Sequence, residues 1–206
     1  MSANELKIVL ASSNPGKVAE IKTLLEHLPI EWVSQSELNI PDADETGSTF
    51  IENAIIKARH ASAASGLPAL ADDSGLVIDA LGGEPGVFSS RYAGIDATDP
   101  DRIQKVLDNL AGVDEEDRTA SFHCVLALIE HEHDPAPLIC HGIWEGYILD
   151  APQGNKGFGY DPIFYVPSHQ CSAAELQPME KNAISHRGQA IAQLLEVFES
   201  LADEED

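Results

Sequence analysis

Two long apolar segments constrain the fold more than anything else in the chain. Residues 119–131 and 138–149 are each long enough for a full strand, and both carry apolar residues on both faces (FHCVLALI and LICHGIW). A strand with one face in water alternates apolar and polar residues. One without alternation is covered on both sides. The pair therefore belongs in the middle of a sheet with a layer on either side. His133, Asp134 and Pro135 lie in the link between them, so an antiparallel hairpin is the simplest connection.

The rest of the chain supplies the covering layers. LKIVLA at 6–11 reads as a buried strand, followed by the dense turn chemistry of SSNPG. A helix then starts with Pro15 in its first turn. Val18, Ile21, Leu24, Leu25 and Leu28 keep helical spacing, and Pro29 stops it. Residues 30–33 form a short strand, and the acidic stretch 36–47 is a loop. Ser48 or Thr49 caps a helix running to Gly66, a C-cap. Residues 67–73 form a strand ending in two aspartates, Ser74-Gly75 turns, and 76–81 continue extended. A shorter helix runs from Asp99 to near Leu110, and 154–162 is a glycine-dense loop. A final helix carries Ile191, Leu194, Leu195, Phe198 and Leu201. No repeat or linker divides the chain, so residues 1–206 are expected to form a single α/β domain with a mixed, partly antiparallel sheet.

Charge narrows the function. The 206 residues hold 12 Lys+Arg against 35 Asp+Glu, a formal net charge of −23. That leaves no broad basic face for nucleic acid and none for an anionic membrane. Cys124, Cys140 and Cys171 are an odd number without a CxxC, which fits a reducing compartment. The start, MSANELKIVLASSNPGK, has no basic flank or cleavage site and reads as a strand, not a signal peptide. No stretch approaches the length of a membrane span. A cytoplasmic protein is expected. The acidic runs DEED at 114–117 and 203–206 read as solvated surface. The few cations are informative: Lys17, Lys156, Lys181 and Arg187 fall in glycine- or turn-rich strings, which suggests a focused anion site. Other cations lie on helix faces, where pairing with local acids is the default.

Four strings carry candidate chemistry. In ASSNPGK, small residues let the backbone approach an anion at a helix N-terminus and Lys17 adds a cation. It is not a P-loop: Ala11 and Val18 replace the required glycine and Ser/Thr. An ordinary strand–turn–helix is the competing reading. In ADDSG, strand-end carboxylates suit a hard divalent cation, yet Asp72 and Asp73 must point to opposite faces. A solvated turn competes there. In GNKGFGYDP, Phe158 or Tyr160 can stack on a base, or the aromatics simply fill the core. MEKNAISHRG presents Lys181, His186 and Arg187, and Ser185 can also serve as a helix N-cap. Arg187 can give forked hydrogen bonds to carbonyl or phosphate oxygens. Two decoys are set aside. His123-Cys124 and Cys140-His141 look like zinc ligands, but neighbours along a strand split across the sheet. His131-Glu132-His133 lacks the HExxH spacing and reads as a solvated hairpin end.

Taken in order, SSNPGK (12–17), ETGSTFIENAIIKARHA (45–61), ADDSGLVIDALGGEPGVFSSRYAG (71–94), GFGYDPIF (157–164) and EKNAISHRGQA (180–190) span nearly the whole chain. The set resembles the inosine triphosphate pyrophosphatase family, hydrolases of non-standard purine nucleoside triphosphates, and most closely its bacterial branch. The resemblance implies an elongated mixed β-sheet flanked by helices, with two lobes around a central cleft. It implies hydrolysis of XTP, ITP and dITP to the monophosphate plus pyrophosphate with Mg2+, one or more ions per subunit, in a homodimer. Ser12, Ser13, Asn14, Pro15, Gly16 and Lys17 would cradle the triphosphate. Glu45 and Asp73 would hold metal, with Asp73 the base toward water, and Ser74 would touch substrate. Phe158, Gly159, Tyr160 and Asp161 would form part of the base pocket, completed by Lys181, His186 and Arg187.

The residue chemistry agrees with that mechanism. A cation on Glu45 and Asp73 lowers the pKa of bound water, a nearby carboxylate accepts its proton, and lysines and N–H groups stabilise the departing pyrophosphate. Choosing a 6-oxo purine needs a donor at that oxygen, from Arg187, Lys181, His186 or loop N–H groups; adenine would leave it unpaired. Guanine must be excluded at its 2-amino edge. Two other readings stand beside this one: a Maf-like pyrophosphatase of modified pyrimidine triphosphates, and a non-catalytic nucleotide-binding module.

Overall fold

The computed structural model describes residues 6–203, with side chains through 200. The reading of the extreme N-terminus and of the acidic tail at 203–206 falls largely outside the described residues. Among the described residues seven strands, β1 (Leu6–Ala11), β2 (Ile30–Ser34), β3 (Ala69–Ile78), β4 (Thr119–Ile129), β5 (Leu138–Ile148), β6 (Phe164–Val166) and β7 (Cys171–Ser172), form one sheet in the order β2-β1-β3-β4-β5-β6-β7. β1 pairs parallel with β2 (Leu6 opposite Ile30) and with β3 (Val9 opposite Ala69). β6 pairs antiparallel with β5 (Tyr147 opposite Tyr165) and with β7. β4 and β5 are neighbours, and their link is too short for a parallel crossover, which leaves the hairpin. The sheet is mixed and flanked by helices.

Among the described residues there are five α-helices: α1 (Pro15–Leu24), α2 (Phe50–Ser65), α3 (Asp99–Asn109), α4 (Pro178–Ile184) and α5 (His186–Asp203). Local chemistry sets their ends. Thr49 caps α2 in a capping box with Glu52, and Gly66 closes it at φ 69°. Thr98 and Asp101 form the same box on α3.

The chain divides into two compact units. The first holds the chain through Asp73, Cys124–Gly142 and Arg187 onward; the second holds Ser74–His123 and Ile143–His186. In the first, alternation along the strands builds two separate cores. Ile8, Leu10, Leu70, Cys124 and Leu126 pack with Ile21 and Leu25 of the α1 region and Ile191 and Leu194 of α5. Their strand neighbours Val9, Ala11, Ala69, Ala71, Val125 and Ala127 pack on Ala54, Ala58 and Ala61 of α2. Opposite faces are thus covered by different helices, as unalternating strands require. The second unit has its own core of Leu76, Ile78, Ile103, Val106, Phe122, Trp144, Tyr160 and Phe164.

Three expectations are corrected. α1 ends at Leu24, and Leu25 to Leu28 form a turn beyond it in which the Leu28 N–H bonds the Leu25 carbonyl. The Ser74-Gly75 pair does not turn: β3 runs unbroken from Ala69 to Ile78, because sheet pairing overrides the local turn preference. β5 is covered on one face only. Cys140, Trp144 and Ile148 are buried while His141, Ile143, Glu145 and Tyr147 are exposed, so His141 and Glu145 marked an alternation that the intervening apolar residues obscured. The short helix α4 before α5 was not expected, while Ser185, extended (φ −68°, ψ 160°) immediately before α5, stands where an N-cap stands, as its reading requires.

Candidate active site

Within the first unit, the turn after β1 carries the first predicted string. Asn14 caps α1: its Oδ1 accepts from the Gly16 N–H (2.9 Å) and the Lys17 N–H (3.1 Å). Pro15 occupies the first helical position, where no N–H is needed. The Ser12 hydroxyl accepts from the Asn14 N–H at 3.3 Å, and Ser13 Oγ donates to Asp42 at 2.9 Å. Lys17 projects its ammonium toward β3, reaching Asp72 Oδ1 at 2.5 Å.

The two aspartates on β3 face opposite ways and live in different environments. Asp72 is 1 % exposed. Besides Lys17, it accepts from Arg187 Nε at 2.9 Å and from the Cys124 thiol at 3.1 Å, both on Oδ2. Arg187, itself 2 % exposed, also donates through Nη1 to Glu20 at 2.5 Å. Burial alone would raise the Asp72 carboxyl, but Arg187, Lys17 and Lys57 overcome it and hold the group well below the usual carboxylate range. Burial also pushes the Cys124 thiol well up, so it remains a donor. Asp73 faces Lys57, whose Nζ lies 3.0 Å from Asp73 Oδ1 and 3.2 Å from Glu45 Oε1. Here burial prevails over the attraction of Lys57 and Lys17, and the Asp73 carboxyl is raised. Asp72 is a fixed anion; Asp73 is the more basic of the two. Neither sits in a solvated turn.

The donor set fits a hard divalent cation. Glu45 and Asp73 already share one cation, the Lys57 ammonium. Mg2+ characteristically takes one or two carboxylates and completes its shell with water and phosphate oxygens. Among the described residues, no three His, Cys, Asp or Glu side chains converge into a ready-made cage. That disposes of the zinc reading as well: Cys124 and Cys140 lie buried in the first unit's core, and all three cysteines are free.

In the second unit the glycine loop is held by Asp161 within it and by Asp99 and Lys181 from outside it. Asp161 is buried, accepts the Phe158 N–H at 3.0 Å and pairs with Lys181 at 2.6 Å. The Lys181 ammonium lies 4.8 Å from the Phe158 ring centroid. Gly157, at φ 73°, tolerates no side chain, since a Cβ there would meet Asp161 Oδ2 at 2.0 Å. The Gly159 N–H donates to Asp99 Oδ2 at 2.7 Å. Tyr160 is 4 % exposed and packs in the core with its hydroxyl on the Ser89 carbonyl, which takes it out as a ring for stacking on a base and leaves Phe158 as the candidate. His186 is buried and stacks on Phe122 at 4.8 Å and 12°. Ser74, half-buried, opens the second unit directly after Asp73 on β3.

Three residues escaped the sequence reading. Lys57 looked like an exposed helix cation. It shares the inward stripe of α2 with Asn53, Ala54, Ala58 and Ala61, and that spacing was the available signal. Glu20 and Cys124 had no signal of their own, since only the tertiary fold brings them to Arg187 and Asp72.

A model of the Ham1 family matches residues 8–197. The chain belongs to the Ham1 family. Among Ham1 relatives, the dITP/XTP pyrophosphatase of Coxiella burnetii is 67 % identical over 193 residues, covering 94 % of this chain and 96 % of that protein. The dITP/XTP pyrophosphatase of Escherichia coli O157:H7 is 56 % identical over 192 residues, covering 93 % and 98 %. The solved structure of a HAM1 protein from Coxiella burnetii has a TM-score of 0.89 at 66 % identity, covering 95 % of this chain and 99 % of that one. The Staphylococcus aureus Ham1 protein gives 0.84 at 40 % identity, covering 94 % and 98 %.

Proposed function

We propose that this Ham1 chain hydrolyses the non-standard purine nucleoside triphosphates XTP, ITP and dITP to the monophosphate plus pyrophosphate. It thereby cleanses the nucleotide pool and keeps deaminated purines out of DNA and RNA. Near-full-length identity to dITP/XTP pyrophosphatases supports the substrate class. The observation that carries the chemistry is the division of labour between Asp72 and Asp73.

Asp73, raised by burial, accepts a proton from the attacking water. Lys57 holds Asp73 and Glu45 in register. Mg2+ bound by Glu45 and Asp73 would supply a more acidic water and polarise the phosphoryl oxygens. Asp72, pinned on Oδ2, orients Lys17 toward the phosphates. Lys17 and the Ser12–Gly16 turn neutralise charge on the departing pyrophosphate. Phe158 stacks on the purine. The backbone N–H groups of Phe158 and Gly159 each carry a single hydrogen, already given to Asp161 and Asp99; the donor for the 6-oxo group is therefore assigned to the side chains that the resemblance gives to the base pocket, Lys181, His186 or Arg187. An adenine amino group would face one of those donors unpaired, a discrimination that reaches roughly 10⁴-fold at such sites.

The resemblance extends the proposal to a cytoplasmic homodimer. No helix of the described residues is long and apolar enough to cross a membrane. A panel of ITP, XTP, dITP, GTP, ATP and modified pyrimidine triphosphates tests the substrate class. Turnover confined to the 6-oxo purines ITP, XTP and dITP supports it. Preferred turnover of pyrimidines would point to the Maf-like reading, and tight ITP binding without turnover to a binding module.

A further inference from the structure

We propose that Asp99 is a positioning residue for the 157–161 loop, and through it for purine selection. The inference rests on the assignment of that loop to the base. Gly157 and Gly159 both adopt positive φ (73° and 63°), so the loop has little conformational restriction of its own. Asp161 holds its start through the Phe158 N–H, and Tyr160 holds its far side through the Ser89 carbonyl. The apex, Gly159, is held by Asp99 Oδ2 at 2.7 Å.

Asp99 is suited to this because its own direction is fixed. It stands at the first position of α3, immediately after the Thr98 cap. Its other oxygen is paired with Arg102 Nη1, and Arg102 Nη2 is anchored on the Ala97 carbonyl at 2.6 Å. The helix start is thus a rigid platform, and the carboxylate transmits its position to the loop through a charge-assisted hydrogen bond. Such a bond turns a two-glycine loop into a preorganised wall against which Phe158 presents its ring. Loss of the bond leaves the phosphate chemistry of the first unit untouched.

The test uses full-length protein and a competitor that lacks a base, inorganic tripolyphosphate. For Asp99→Ala we expect KM for ITP to rise about 10-fold, the value of one such bond. Inhibition by tripolyphosphate stays within about twofold, and the margin of ITP over GTP narrows. Asp99→Asn keeps a carbonyl acceptor and restores most of the loss. Arg102→Gln, which leaves the bond but loosens its anchor, gives a smaller change of the same sign and serves should Asp99→Ala not fold. Amide hydrogen exchange of peptides spanning 157–161 must quicken in both Asp99→Ala and Arg102→Gln, whatever the substrate proves to be. Unchanged exchange overturns the proposal, as does an equal loss of tripolyphosphate affinity. Failure of the wild type to hydrolyse ITP would instead overturn the substrate assignment.

Discussion

Replacing Asp72 by asparagine removes a negative charge where no water can compensate. The carboxylate is 1 % exposed and is held by Arg187 (2.9 Å), Lys17 (2.5 Å) and the Cys124 thiol. The amide preserves shape and one acceptor but cannot balance Arg187. Breaking a buried pair by removing one partner costs about 3–5 kcal/mol. The lower end applies, about 3 kcal/mol, because Glu20 still faces the guanidinium. For a chain of this size that lowers Tm by roughly 6–12 °C. The pH dependence follows from the depressed folded pKa of Asp72. A depressed carboxyl contributes fully above its unfolded value, near 3.9, and loses that contribution as pH falls through the folded value. Asparagine does not titrate. Urea unfolding followed by circular dichroism should therefore show a constant gap between wild type and Asp72→Asn from about pH 8 to 5, narrowing below about pH 4. A gap under about 1 kcal/mol at pH 7, or one that does not narrow in acid, refutes the reading of Asp72 as a buried structural anion.

The remaining predictions concern turnover. Asp73→Asn loses most ITP hydrolysis while its unfolding midpoint stays near that of wild type; wild-type turnover removes Asp73 as the base. Lys57→Met, which takes away the cation shared by Glu45 and Asp73, lowers kcat for pyrophosphate release by roughly 10²-fold. A normal kcat in that variant returns Lys57 to the role of a helix surface charge. Chelation with EDTA takes activity to background and added Mg2+ restores it; metal-independent turnover argues against Glu45 and Asp73 as ligands.

Much of the fold was legible because burial leaves a periodic trace. The unalternating strands β1 and β4, the capping box of α2 and the proline at the start of α1 followed from side-chain spacing and local hydrogen-bond chemistry. One misreading came from taking local preference where tertiary pairing decides. Ser74-Gly75 has turn chemistry, but its backbone is recruited into β3. The opposition of Asp72 and Asp73 was readable from strand geometry, yet their unequal basicity was not. It arises from Arg187 and Lys17 on one side and Lys57 on the other, groups far apart in sequence. Arg187 was legible as a candidate ligand donor because its string is polar and turn-rich, but its second set of partners was not. Its burial against Asp72 and Glu20 is a property of the assembled core of α1, β3 and α5. The net charge of −23 is reconciled with a polyanionic substrate in the same way. Asp72, Asp73 and Glu45 are neutralised in place by Lys17, Lys57 and Arg187.

The most direct test of the account is the product formed from ITP with Mg2+, followed by phosphorus NMR. Cleavage of the α–β anhydride, as the assigned reaction requires, gives IMP and pyrophosphate in equal amounts, with no orthophosphate. Accumulation of IDP and orthophosphate would contradict it, since that cleavage occurs at the terminal phosphate and belongs to a different enzyme.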